Sequence, residues 1–138
     1  MPLRYLLDTS ALLVHFRRET GWARVQALFQ ESDAEILAAS VSITELARRL
    51  VSLGATADEA RQTVADYLEL VDEVVAIDER VAFAAFAVGC ETPARLPLAD
   101  AVIAAAAHER SACLVHRDSH MAPIPASLVE QIDLAGEP

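Results

Sequence analysis

Asp8, Glu45, Asp100 and Asp118 are the residues of this chain whose types and settings bear most directly on chemistry. Asp8 lies between Leu6-Leu7 and the run Ala11-Leu12-Leu13-Val14. An ionised carboxylate between apolar stretches costs several kcal/mol unless it is paired, hydrogen-bonded or bound to metal. A helix N-cap meets that need as readily as a metal does. Asp100 is the only charged side chain from Leu96 to Ala107. A helix that is apolar all round is normally buried, and the dipole at its first turn favours an anion by only roughly 0.3–1 kcal/mol. That is too little to offset deep burial, so a functional reading is favoured for Asp100.

The other two are more ambiguous. On its helix, Ile43, Leu46, Ala47, Leu50 and Val51 form one apolar face, and Glu45 points nearly opposite, beside Arg48 and Arg49 at i+3 and i+4. Periodicity therefore predicts a solvated ion-pairing Glu45, and only its place after a strand argues for a site. Asp118, in His116-Arg117-Asp118-Ser119-His120, suits a turn, and Arg117 could neutralise it without metal. Taken together, four carboxylates at four separate element ends would repel one another unless a cation joined them. An all-oxygen donor set suits a hard cation such as Mg²⁺ or Mn²⁺. Such a cation binds phosphate oxygens, activates water and stabilises a leaving oxygen, which is the chemistry of phosphodiester hydrolysis.

The elements that must position these groups alternate along the chain. Leu3–Leu7 reads as a buried strand ending at Asp8, followed by a helix through Phe16 capped by Thr9 or Ser10. A second helix runs over Gly21–Gln30, with Trp22, Val25, Leu28 and Phe29 on one face. Glu35–Ala39 is a strand leading to a helix over Ser42–Leu53 that Gly54 stops. Thr56 opens the next helix, through Leu70, as a capping box with Glu59. Val74–Ile77 is a third strand. Helices over Glu79–Gly89 and Leu98–Glu109 flank the Pro93–Pro97 turn, Ala112–His116 is a fourth strand, and Ile132–Leu134 is a candidate edge strand. Strands alternating with helices predict an α/β fold, a short parallel sheet covered on both sides, with sites at the carboxyl ends of the strands. Asp8, Asp118 and Glu45 all fall at such ends.

A length of 138 residues suits one domain spanning 1–138, and 54% hydrophobic residues exclude a disordered chain despite a net charge of −10. Charge-free apolar stretches such as Ala101–Ala107 are far shorter than the roughly 20 residues a membrane span needs. The N-terminal run reaches Asp8 too soon for a signal-peptide core. With two cysteines, Cys90 and Cys113, there is no disulfide framework, and a reducing cytoplasm is the simplest location. The acidic balance weakens loose binding to phosphate backbones, so a nucleic acid would need bound cations and a local basic patch. The densest basic pairs, Arg17-Arg18 and Arg48-Arg49, each follow an acidic motif and are candidates for RNA contact, with solvated helix ends as the ordinary alternative.

Four motifs in order carry a family resemblance. Leu-Leu-Asp8-Thr-Ser10-Ala-Leu-Leu, Ser-Ile-Thr44-Glu45-Leu, Leu-Pro-Leu-Ala-Asp100-Ala-Val-Ile and Leu-Val-His-Arg-Asp118 resemble the acidic motifs of PIN-domain proteins, specifically of the VapC-type toxins. The resemblance spans nearly the whole chain. It implies a three-layer α/β/α fold with four to five mostly parallel strands. It also implies Mg²⁺- or Mn²⁺-dependent endoribonuclease activity, a homodimer, and inhibition by a cognate antitoxin. Asp8, Asp100 and Asp118 would be the metal ligands, Glu45 would complete the catalytic set, and Ser10 would supply a hydroxyl near the metal. An acidic cleft would also suit arginines on an antitoxin tail. His116 stands where the family has Thr or Ser, and Met121 where a Phe often follows. His116 is thus either a hydrogen-bond partner that alters substrate or metal handling, or a tolerated substitution.

Other readings are weaker. His116 and His120 have a zinc-compatible spacing but fall on a strand end and a turn, without a third N or S ligand nearby. His15 reads as a helix-surface residue, His108 as a partner of a helix C-terminus, and Trp22 and Phe29 as core or dimer surface. A haloacid-dehalogenase-type phosphatase or a receiver domain would require a lysine, and the phosphatase a second Asp where Ser10 stands; the chain has no lysine. A P-loop fails for the same reason. The remaining alternative is a catalytically idle PIN-like module that acts through protein–protein contacts.

Overall fold

Leu6 and Leu7 are both fully buried, and they point to opposite faces of the sheet that organises the molecule. The computed structural model describes residues 3–137; Met1, Pro2 and Pro138, which belong to the expected 1–138 domain and its N-terminal run, lie outside the described residues. The order is β1 (Leu3–Leu7), α1 (Thr9–Arg17), α2 (Trp22–Gln30), β2 (Ala34–Ala39), α3 (Val41–Ser52), α4 (Ala57–Leu70), β3 (Glu73–Val75), α5 (Glu79–Glu91), α6 (Leu98–Glu109), β4 (Cys113–His116) and β5 (Gln131–Asp133), then a 3₁₀ turn over Leu134–Gly136. The five strands lie in the order β3-β2-β1-β4-β5, and every pairing is parallel.

Alternation along the strands separates two cores. Leu6, Leu37, Leu114, Ala39 and Val75 face α5 and α6, while Leu7, Ile36 and Val115 face α1 to α4. In α6, Ala101 and Ala104 to Ala107 are all buried. Their small side chains let the helix backbone lie close to the sheet, and this fixes the depth of Asp100 one turn earlier.

The expected elements are all present, with boundary differences that have local causes. Asp8, rather than Thr9 or Ser10, caps α1: its side chain accepts from the Ala11 N–H, and Thr9 is already helical. α3 ends at Ser52 because Gly54 takes φ +110, a conformation that suits glycine. The Thr56–Glu59 capping box opens α4 with both reciprocal bonds made. β5 begins at Gln131, one residue earlier than expected, and Leu134 already belongs to the turn. His15 is not a free surface residue. Its Nδ1 lies 2.7 Å from Tyr67 Oη and its Nε2 2.6 Å from Gln26 Oε1, so it ties α1 to α4 and α2. His108 Nδ1 donates to Leu128 O at 2.7 Å from the last turn of α6. Trp22 and Phe29 are partly buried against the second core.

Among the described residues, no helix is long and apolar enough to cross a membrane. Cys90 and Cys113 are both free.

Candidate active site

Asp8 follows β1 and Asp118 follows β4, the two central neighbours in the sheet, so their carboxylates emerge side by side at its carboxyl end. α3 enters from β2 with Glu45 in its second turn, and α6 begins beside them with Asp100 in its first. All four line one cleft of about 420 Å³, together with Thr9, Ser10, Arg17, Glu19, Arg49 and Arg117. Glu45 therefore faces the cleft rather than open solvent.

Hydrogen bonds hold Asp8, Glu45 and Asp118. Asp8 is 2% exposed, and its Oδ1 accepts from Ser10 Oγ at 2.6 Å and from the Ala11 N–H at 2.8 Å. The capping reading and the site reading of Asp8 thus both describe the same side chain. Ser10 Oγ in turn accepts from the Arg117 N–H at 2.8 Å, linking the first and fourth motifs. Thr9 Oγ1 donates to Glu45 Oε1 at 2.7 Å and lies 3.1 Å from Ser42 Oγ. Asp118 Oδ1 accepts from the His120 N–H at 2.9 Å and lies 3.0 Å from His120 Nδ1.

The electrostatics are unfavourable for anions. Burial pushes the Asp8 carboxyl up to about 7, against the lowering effect of Ser10 and the Ala11 N–H and with repulsion from Asp118 and Asp100. Burial likewise pushes Asp100 up to about 7, with Asp118 and then Glu45 adding repulsion and His120 opposing it. Among the described residues, none of the four carboxylates pairs with an arginine. Arg117 turns instead to Glu19 at 3.7 Å, and Arg17 meets the same carboxylate at 3.6 Å.

Carboxylates that are crowded, partly buried and unpaired with arginine are a donor set that suits a hard divalent cation. The residues present therefore fit a hard divalent cation at this end of the cleft. Ligand atoms of Asp100, Asp118 and His120 also lie within 4.8 Å of one another, which brings a nitrogen donor to the edge of the cluster.

Of the arginines singled out from sequence, Arg17 and Arg49 line the cleft. Arg18 stacks its guanidinium 4.8 Å above the Trp22 ring, and Arg48 lines a separate groove between α3 and α4. His116 lies outside the cleft. It is fully buried, with Nε2 2.8 Å from Gln131 Oε1 and Nδ1 accepting from the Asp118 N–H at 3.1 Å. Both ring nitrogens are engaged, so the His116–His120 zinc pair does not form.

Sequence reasoning missed Thr9, Glu19, Arg117 as a wall of the cleft, His120 and Gln131. Thr9 had a usable signal, a hydroxyl beside Asp8. Glu19 and Gln131 had none, since the contacts that tie them to the site, Arg117 for Glu19 and His116 for Gln131, form only when distant strands and helices meet.

A model of the PIN domain matches residues 5–126. The chain belongs to the PIN domain family. No curated protein matches the sequence. Among solved structures, this PIN domain is similar to a chain of VapBC2 from Rickettsia felis bound to a DNA fragment from its promoter. The TM-score is 0.75 at 16% identity, covering 95% of this chain and 98% of that one. It is similar to a chain of VapBC-5 from Mycobacterium tuberculosis, a member of the VapBC family of toxin-antitoxin systems, with TM-score 0.64 and 25% identity over 96% and 99%. A toxin-antitoxin complex from Klebsiella pneumoniae matches with TM-score 0.69 and 23% identity over 94% and 97%. Several of the similar solved structures are chains of VapBC complexes.

Proposed function

We propose that this PIN domain is a single-domain, Mg²⁺- or Mn²⁺-dependent endoribonuclease and the toxin of a toxin–antitoxin pair. The observation that carries the reading is the convergence of Asp8, Glu45, Asp100 and Asp118 in one cleft, none of them paired with an arginine among the described residues. Asp8, Asp100 and Asp118 would hold the metal. When bound, a divalent cation supplies neutralising charge for phosphate oxygens and for the leaving 3′ oxygen. The chain's own residues bind and orient. Ser10 fixes Asp8, and Thr9 fixes Glu45 through one oxygen. Arg17, Arg49 and Arg117 at the cleft wall supply the basic patch that an acidic protein needs to hold an RNA backbone. Arg18 and Arg48 sit apart from that wall and are not assigned the role.

The similar VapBC chains support a cognate antitoxin as partner, with arginines of its tail competing for the acidic cleft. Phe83 and Phe86 on α5, 69% and 73% exposed, support self-association into a homodimer. A cytoplasmic location agrees with two free cysteines.

The test is cleavage of a pooled, structured RNA by purified protein with Mg²⁺, with Mn²⁺ and with chelator, alongside Asp8→Asn and Asp100→Asn. Metal-dependent cutting that both variants lose is the expected result. A folded, antitoxin-free protein that cuts nothing with either metal would instead be the idle binding module.

A further inference from the structure

His116 and Gln131 form a buried unit that the cleft itself does not use. His116 ends β4, and Gln131 begins β5, the edge strand beside it. The Asp118 N–H donates to His116 Nδ1, so the ring proton sits on Nε2 and is donated to Gln131 Oε1. The amide of Gln131 then donates through Nε2 to Met121 O and to Ile124 O, each at 3.1 Å. Those two carbonyls lie in the segment that carries Asp118 away from β4. The segment is folded on itself by Met121 N–H to Asp118 O and Ile124 N–H to Met121 O, both at 3.0 Å. One glutamine thus grips both ends of this segment, directly at 121 and 124 and through His116 at 118.

We propose that Gln131, acting through His116, is a positioning residue that sets the backbone at Asp118 and so the aim of its carboxylate at Asp100. The inference rests on the metal-site reading of Asp118 and adds to it a residue on the edge strand. The physical reason is cooperative. Asp118 leaves β4 after only one further residue, so no ladder bond fixes its N–H; His116 takes that N–H instead. His116 is fully buried and needs an acceptor for its own Nε2 proton, and among the described residues Gln131 on β5 supplies it. Groups that orient a metal ligand in this manner commonly change metal affinity about 10- to 100-fold when removed.

The test compares wild type with Gln131→Leu, which abolishes the acceptor and both donors at similar volume. Ile132→Ala on the same strand serves as a destabilised control, because the Ile132 side chain packs against the opposite core. Two quantities are read on folded protein without RNA: Mn²⁺ affinity by titration, and hydrogen-exchange protection of the Asp118 amide. The expected result is a loss of Mn²⁺ affinity of about 10-fold or more in Gln131→Leu, together with faster exchange at Asp118. Ile132→Ala should melt earlier yet keep both. Wild-type affinity and protection in Gln131→Leu, or equal losses in both variants, would overturn the proposal. If the wild type binds no divalent cation, the nuclease reading fails, and Asp118 exchange alone decides the role of Gln131.

Discussion

Asp8 shows how one side chain serves folding and chemistry at once. Its Oδ1 caps α1 and is held by Ser10, while burial and the neighbouring carboxylates make its charge costly. Without divalent cation, Asp8 and Asp100 keep their protons in the folded protein up to about 7, whereas an ordinary Asp loses its proton near 3.8. The folded state therefore binds more protons than the unfolded state between those values. Their contribution to stability is full below about 4, declines as pH rises to about 7, and then levels off. Thermal melts in chelator should fall across that window, and the fall should shrink in an Asp8→Asn/Asp100→Asn double variant. Saturating Mn²⁺ should flatten the wild-type profile. A chelator profile identical in wild type and double variant would show that these carboxyls are not strained.

At the scale of elements, α6 is the part on which the site most depends. Its alanines at 101 and 104 to 107 bring the helix against β1 and β4, and that distance sets where Asp100 enters the cleft. Replacing Ala105, which is fully buried, with Leu should cost about 1–3 kcal/mol by overpacking. It should also lower cleavage by the folded fraction, because relieving the clash displaces the helix that carries Asp100. Denaturant unfolding together with activity per folded molecule tests this. Stability lost with undiminished activity would mean that Asp100 is positioned by its own loop rather than by the helix.

For the whole molecule, charge distribution matters more than total charge. A net charge of −10 repels RNA at long range, yet Arg17, Arg49 and Arg117 stand at one cleft, two of them kept in place by Glu19. Arg17→Ala and Arg117→Ala should each weaken single-stranded RNA binding and reduce the slope of log affinity against log salt by about 0.7. Arg80→Ala, which pairs with Glu109 on the far side at 3.5 Å, should leave the slope unchanged. Fluorescence anisotropy over a salt series, in an Asp100→Asn background to prevent cutting, gives the answer. Equal slopes for all three variants would remove the arginines from RNA recognition.

Local sequence was enough for the alternation of strands and helices, for the two-sided burial of the sheet and for setting Asp100 apart. These are local matters: hydrophobic period, caps such as Thr56–Glu59, and a charge such as Asp100 stranded in an apolar run. Only the tertiary structure decided Glu45. Helical period turned it away from its own helix's apolar face, but α3 packs so that this outer side meets the N-terminus of α1, where Thr9 waits. It also decided which arginines face the cleft, and that His116 is bound inward to Gln131 rather than to any metal. Each of these contacts joins residues 15 or more apart along the chain or depends on how helices pack across the sheet. Periodicity reports which side of an element is apolar, and packing alone determines what the other side meets.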